Sequence, residues 1–92
     1  MEIGYVLEYL RSTRRISTDA SDSLSVEGNV IVYRGGDLTR VFIVEFLAGS
    51  KTEGATNLAA KYADGGKNEV YLVYVKDYGE IFTYKAETST LD

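Results

Sequence analysis

The 92-residue chain contains no cysteine, histidine, proline or tryptophan. Without cysteine it forms neither a disulfide nor a zinc–thiolate site. Without histidine it lacks the commonest general base, so Ser–His and Cys–His nucleophile systems are excluded within this chain. Any acid–base or metal chemistry must therefore use Asp, Glu, Lys, Tyr or Arg. A site built from oxygen ligands alone favours Mg²⁺, Mn²⁺ or Ca²⁺.

Long apolar runs are also missing from the sequence. No stretch reaches the length of a membrane span, and residues 1–10 lack the basic and apolar regions of a signal peptide. We therefore expect an intracellular, cytoplasmic protein that is not secreted and does not enter a membrane. The net charge of −4 argues against a general nucleic-acid coat but leaves room for a local basic patch.

The length predicts one small domain over residues 1–92, with 86–92 as a loose polar tail. Near the N-terminus, apolar residues recur at the spacing of one helix face: Ile3, Val6, Leu7 and Leu10. The serine-rich stretch from Ser17 to Ser25 predicts a polar loop.

The segment "NVIVYRGGDLTRVFIVEF" predicts a β-hairpin with arms at Val30–Tyr33 and Val41–Leu47. Its turn is "RGGD", because Gly35 and Gly36 tolerate positive φ. A helix follows in "GSKTEGATNLAAKYADGG", where Ser50 and Glu53 have capping-box spacing and glycines mark the end.

Two later apolar runs, Val70–Val75 and Ile81–Tyr84, predict strands. The runs at 41–47 and 70–75 are apolar on both faces and are joined through a helix, which predicts parallel central strands. The predicted fold class is α/β (α+β). It has a mixed four- to five-stranded sheet, an N-terminal helix and one crossover helix, in the order α-β-β-α-β-β.

Glu45 interrupts the apolar run of the second hairpin arm. It would face a solvated edge, pair with an Arg or Lys, bind a metal or serve an interface, because a bare buried carboxylate is costly. With the turn near Gly36, the residue opposite Glu45 is expected to be Glu27. Two facing carboxylates repel unless a cation lies between them, which predicts a Mg²⁺ or Mn²⁺ site.

This order of elements resembles the core of the PD-(D/E)XK, or restriction-endonuclease-like, nucleases. The resemblance implies that Glu45 binds metal together with Glu27 or Asp37, and that Glu8 assists from the first helix. The family's lysine would fall at Leu47, so Lys51 or Lys61 would have to replace it. A Mg²⁺-dependent nuclease, or a noncatalytic relative of one, is the implied function.

Five arginines are candidate phosphate contacts: Arg11, Arg14, Arg15, Arg34 and Arg40. The alternative for the first three is a solvated helix end that compensates the helix dipole. Tyr5 and Tyr9 would form the rim of the core, a dimer surface or a stacking platform for bases. The second functional hypothesis is a noncatalytic interaction or structural protein that forms a homodimer or binds a protein partner.

Overall fold

The computed structural model describes residues 3–17, 22–47, 53–76 and 79–86. Its elements run α1 (Ile3–Ser12), β1 (Ser23–Glu27), β2 (Val30–Gly35), β3 (Leu38–Leu47), α2 (Glu53–Tyr62), a short 3₁₀ turn (Asp64–Gly66), β4 (Glu69–Lys76) and β5 (Ile81–Lys85). The five strands form one sheet in the order β1-β2-β3-β4-β5.

The sheet is mixed, as the sequence predicts. β3 and β4 are parallel, with Arg40 opposite Glu69 at one end and Leu47 opposite Lys76 at the other, whereas the other neighbours are antiparallel. The parallel pair is joined through α2, because two parallel neighbours need a crossover connection. The predicted α/β (α+β) fold class is confirmed.

The two helices lie on opposite faces of the sheet. On one face, Val6 and Leu10 of α1 belong to a buried cluster that includes Phe42, Val44 and Val73. On the other face, Ala59 and Ala63 pack with a second cluster, made of Val30, Val41, Ile43 and Val70. Because β3 and β4 are covered on both sides, both alternating side-chain sets are apolar.

β1 corrects the sequence prediction. Residues 23–27 form a strand, so the polar loop predicted for Ser17 to Ser25 is wrong in its last three residues, and the element order contains a fifth strand. The cause is a two-residue turn at Gly28 and Asn29, between the paired residues Glu27 and Val30. Gly28 has φ +59, which glycine adopts without a Cβ penalty.

The second turn lies where the sequence predicts it. Gly35 pairs with Leu38, so the hairpin turn is formed by Gly36 and Asp37, and Gly36 has φ +61. The arms are longer than predicted by two or three residues at this end. The two successive tight turns make β1, β2 and β3 a meander.

α1 ends in a Schellman motif. The N–H of Arg15 donates to the carbonyl of Leu10 at 2.9 Å, and the N–H of Arg14 donates to the carbonyl of Arg11 at 3.0 Å. Arg14 has φ +60, in the left-handed region where glycine is usual. The turn returns the chain to the core, where Ile16 is buried.

α2 lays Leu58, Ala59 and Tyr62 against the sheet, as its spacing predicts. Its proposed cap, Ser50, lies outside the described residues. The backbone N–H of Ala86 donates to the carbonyl of Val70 at 2.8 Å, and residues 87–92 of the predicted tail lie outside the described residues.

Candidate functional site

Four arginines meet around one surface cavity where α1 ends. The cavity has a volume of about 480 Å³, and its lining residues are Arg11, Arg14, Arg15, Ile16, Ser17, Tyr33 and Arg40. The turn after α1 supplies most of the wall, while β2 and β3 supply Tyr33 and Arg40 from directly opposite positions. The fold thus gathers cations that are up to 29 positions apart in the chain.

Arg40 is held in place by two partners. Its Nε lies 3.1 Å from Oε1 of Glu69, and its Nη1 donates to the carbonyl of Arg15 at 2.8 Å. The Tyr71 hydroxyl donates to the same Glu69 oxygen at 2.8 Å. The hydrogen bond from Tyr71 lowers the pKa of Glu69 most, and the contact with Arg40 lowers it further, although burial raises it. Arg40 therefore ties the end of the α1 turn to the sheet.

Tyr33 forms the buried side of the cavity. Its hydroxyl donates to Oδ2 of Asp22 at 2.5 Å. This hydrogen bond raises the pKa of Tyr33, so the hydroxyl is protonated at neutral pH. Gly35 makes room for the pair, because a Cβ at that position would lie 2.6 Å from the Tyr33 hydroxyl oxygen.

The other three arginines differ in how they are restrained. Arg15 is half-buried, and its Cζ lies 5.7 Å from the centre of the Tyr9 ring, at cation–π distance. Arg11 and Arg14 are exposed. Guanidinium groups bind phosphate oxygens in a bidentate manner, so this mixture of fixed and adaptable donors suits a phosphate group.

The charge of this region is opposite in sign to that of the whole chain. Among the described residues, four arginines line the cavity, and two carboxylates, those of Asp22 and Glu69, contact its lining side chains. The whole chain carries a net charge of −4. An anionic ligand approaching the protein is therefore favoured at this cavity.

Arg34 does not join this group. It neighbours Tyr33 in β2, so the two side chains point to opposite faces of the sheet. Arg34 lines a different depression, of about 360 Å³, together with Ser23, Glu27 and other residues of the β1 edge. The structure therefore brings together four of the five predicted phosphate-contacting arginines.

The predicted pairing of Glu27 with Glu45 is wrong. The ladder between β2 and β3 begins with Val30 opposite Ile43, and the chain then turns at Gly28 into β1. Glu27 and Glu45 share a face, but they are two strands and two residues apart, about 12 Å between Cα atoms at ordinary strand spacing and rise. Side chains stand nearly perpendicular to a sheet, so their carboxylates do not face each other.

Glu45 instead has Tyr74 as its neighbour in the parallel ladder. Glu45 is half-buried on the sheet face that carries α2, and Tyr74 is 5 % exposed. Burial, and next the charge of Glu45, raise the pKa of Tyr74. The carboxylate thus stands beside a phenol on a partly covered part of the sheet.

The other residues of the predicted catalytic and metal set lie apart from Glu45. Asp37 is exposed in the turn at the far end of the hairpin, and Glu8 is exposed on α1. Lys61 is exposed in the last turn of α2. This turn leads into the start of β4, at the end of the sheet away from Glu45. Lys51 lies outside the described residues. Within residues 3–17, 22–47, 53–76 and 79–86, no three acidic side chains form a group that could hold a metal.

Three residues that shape the cavity were not predicted: Tyr33, which lines it, and Asp22 and Glu69, which hold Tyr33 and Arg40. The position of Tyr33 could have been predicted from the hairpin, because a turn at Gly36 and Asp37 places Tyr33 opposite Arg40. The link to Glu69 needs the parallel register, which no local pattern specifies.

Comparisons with known proteins give no family for this chain. No protein-family model matches it, and no curated protein is significantly similar in sequence. In the part of the chain that the structure covers, neither helix has the length and apolarity that a membrane span requires. The nuclease resemblance stays a prediction.

Proposed function

We propose that this protein is a noncatalytic binding domain that contacts the phosphates of nucleic acid at the arginine cavity. The observation that supports it best is the convergence of Arg11, Arg14, Arg15 and Arg40 on one cavity of about 480 Å³. Phosphate contacts from arginine supply most of the affinity in sequence-independent nucleic-acid binding. The intracellular location expected from the sequence agrees with such a ligand.

The backbone of Arg14 gives a second line of support. A left-handed residue at this helix end is usually glycine, and a side chain there costs roughly 1–2 kcal/mol. Arg14 nevertheless occupies the position, with φ +60, and its side chain lines the cavity. Strain of this kind is typical of sites where the side chain serves a function.

The carboxylates support nuclease chemistry less well. Catalysis by the predicted metal site needs Glu27 or Asp37 beside Glu45, and the sheet register separates all three. The proposal therefore assigns no step to these residues. It retains from the nuclease resemblance only the contact with nucleic acid.

Binding should be measured by fluorescence anisotropy with labelled single-stranded and duplex oligonucleotides over a range of salt concentrations. We expect Arg11→Gln and Arg14→Ala each to weaken binding and to reduce the salt slope by about one phosphate contact. Lys67→Gln removes the same charge from an exposed side chain outside both the cavity and the β1 edge, and is the matched control. Heparin tests whether the site accepts any polyanion.

Three results would contradict the proposal. One is an absence of wild-type binding at low salt. Another is an equal loss of affinity in Lys67→Gln and Arg11→Gln, which would mean that overall charge rather than the cavity is responsible. Heparin binding as tight as that of the oligonucleotides would remove nucleic acid as the specific ligand class.

A second candidate function is homodimer formation, and one observation favours it. β1 lies at the edge of the sheet, and its apolar side chains are exposed, Leu24 by 38 % and Val26 by 40 %. An open apolar sheet edge is a template for pairing with another chain.

A further inference from the structure

We infer that two copies of this chain join edge to edge through β1, antiparallel, with Ser25 opposite Ser25 of the second copy. The inference rests on the homodimer candidate and specifies its surface and register. It uses different residues from those that line the arginine cavity, although β2 contributes to both.

The edge of β1 lacks the features that usually protect a sheet edge. All five residues from Ser23 to Glu27 are exposed. The strand contains no Lys, no Pro and no charge before its last residue. Leu24 and Val26 point to the face that carries α1, because they stand opposite the core residues Tyr33 and Ile31.

The turn at Gly28 fixes which backbone groups are available for pairing. Glu27 and Val30 close a two-residue turn, so they form a hydrogen-bonded pair. Hydrogen-bonded and non-hydrogen-bonded pairs alternate, so Ser25 and Ser23 also bond toward β2. The N–H and C=O groups of Leu24 and Val26 consequently point outward. Among the described strands, only β2 pairs with β1.

A two-fold axis at Ser25 satisfies these outward groups. It places Leu24 of each copy opposite Val26 of the other, and each such pair exchanges two backbone hydrogen bonds. The same pairing brings the apolar side chains together on one face, beside the α1 core. The result is a continuous ten-stranded sheet in which both open β1 edges are covered.

Charge complementarity favours a second copy over an unrelated peptide. On the other face, the axis places Ser23 opposite Glu27 of the second copy, and Arg34 is the neighbour of Ser23 on β2. The row is therefore Arg34, Ser23 and Glu27 of the second copy, spanning about 10 Å between its outer Cα atoms. The small serine lets the arginine extend across it to the carboxylate. The symmetry repeats this ion pair.

The depression around these residues fits the arrangement. Arg34 and Glu27 both line it, with Ser23, Ser25, Leu24 and Val32 completing the wall. A one-residue shift in register would move Leu24 and Val26 against polar side chains of the second copy. The register centred on Ser25 therefore satisfies the backbone, the apolar face and the charges together.

The first test is the mass of the full chain in solution, by size-exclusion chromatography with light scattering. We expect about twice the chain mass of 10.2 kDa. Val26→Lys should give a monomer with an unchanged circular dichroism spectrum, because it charges the apolar seam of an exposed strand. A wild-type chain that stays monomeric at high concentration overturns the inference. Nucleic-acid binding by that monomer would leave the first proposed function standing.

The second test addresses the register, using the absence of natural cysteine. Ser25→Cys places two thiols at a non-hydrogen-bonded pair, with Cα atoms about 4.5 Å apart, which suits a disulfide. Ser23→Cys is the control, because its symmetry mate lies about 13 Å away along the strand. We expect oxidation to cross-link Ser25→Cys at least tenfold faster. Equal rates, or a dimer that neither variant cross-links, would contradict the register.

The ion pair has its own variants. Glu27→Arg or Arg34→Glu alone should weaken the dimer at least tenfold, whereas the two together should restore it. Failure of the double variant to recover dimerisation, while it remains folded, removes the charge argument.

Discussion

Arg40 and Glu69 stand opposite each other where the parallel ladder of β3 and β4 begins, with Nε of Arg40 3.1 Å from Oε1 of Glu69. The same guanidinium donates to the carbonyl of Arg15. One side chain thus joins the two central strands to the turn after α1. The position of the arginine cavity depends on this link.

The stability of the protein at acid pH tests the contact between Arg40 and the Glu69 carboxylate. Its pKa is lowered below the ordinary value of 4.5 by Tyr71 and Arg40. A group of this kind stabilises the fold above its unfolded pKa, and the contribution is lost as the pH falls through the folded pKa. We expect Glu69→Gln to be about 1 kcal/mol less stable at neutral pH and to converge on the wild type below pH 4.5.

Urea unfolding followed by circular dichroism, at several values between neutral pH and pH 3, measures this convergence. Glu8→Gln, which removes an exposed carboxylate on α1, is the control. Parallel stability curves for Glu69→Gln and the wild type would show that the carboxylate has no favoured ionised state.

Arg14→Gly should separate stability from binding. Glycine adopts φ +60 freely, so we expect the variant to gain up to about 1 kcal/mol in free energy of unfolding. Nucleic-acid affinity should fall because a cavity arginine is lost. Arg14→Ala loses the same charge without relieving the backbone, and should bind equally weakly with no gain in stability. Tighter binding by the glycine variant would contradict the assigned role.

Gly35→Ala should disturb the buried side of the cavity. The new Cβ would lie 2.6 Å from the Tyr33 hydroxyl and 3.0 Å from Asp22, so the hydrogen bond between them must shift. Overpacking of this kind costs about 1–3 kcal/mol. Tyr33→Phe removes the nearest clashing atom, so adding Gly35→Ala to it should cost less than in the wild type. Additive losses in this double-mutant cycle would show that the contact is not the cause.

Thr83→Val should stabilise the protein. The Thr83 hydroxyl oxygen is buried, and no described residue forms a hydrogen bond with it. Valine has nearly the same shape and removes the unsatisfied polar group, which is worth about 1 kcal/mol. Thr83→Ser keeps the hydroxyl, so it should show no gain in chemical denaturation. A less stable valine variant would mean that the hydroxyl has a partner, such as an ordered water.

The helices and central strands were predictable because burial leaves a periodic pattern in the sequence. α1 follows the spacing of Val6 and Leu10, and the runs in β3 and β4 are apolar on both faces because a helix covers each side. β1 leaves a weaker pattern, because all of its residues are exposed. The sequence feature that best indicates β1 is the dipeptide Gly28–Asn29, which is typical of a two-residue hairpin turn.

The site was less predictable because it depends on register. The expected pairing of Glu27 with Glu45 assumed one unbroken arm, and a turn of two residues moved Glu27 to the far side of β2. The arginines after α1 could be grouped from their proximity in sequence. Arg40 could be added to the group only once the register of the hairpin was known. In that register Arg40 lies opposite Tyr33 on the α1 face, whereas Arg34, the next residue of β2, points to the other face.

The crossover also has a consequence for the order of folding. The hairpins of the meander pair residues that are close in sequence, whereas the pairing of Arg40 with Glu69 joins residues 29 positions apart. Pairings across long separations close slowly, so we expect the chain to pass through a stage in which the inner edge of β3 is bare. At that stage β3, and not β5, is the second edge of the sheet, and its apolar side chains are uncovered. At high concentration such chains would aggregate through this edge before folding is complete.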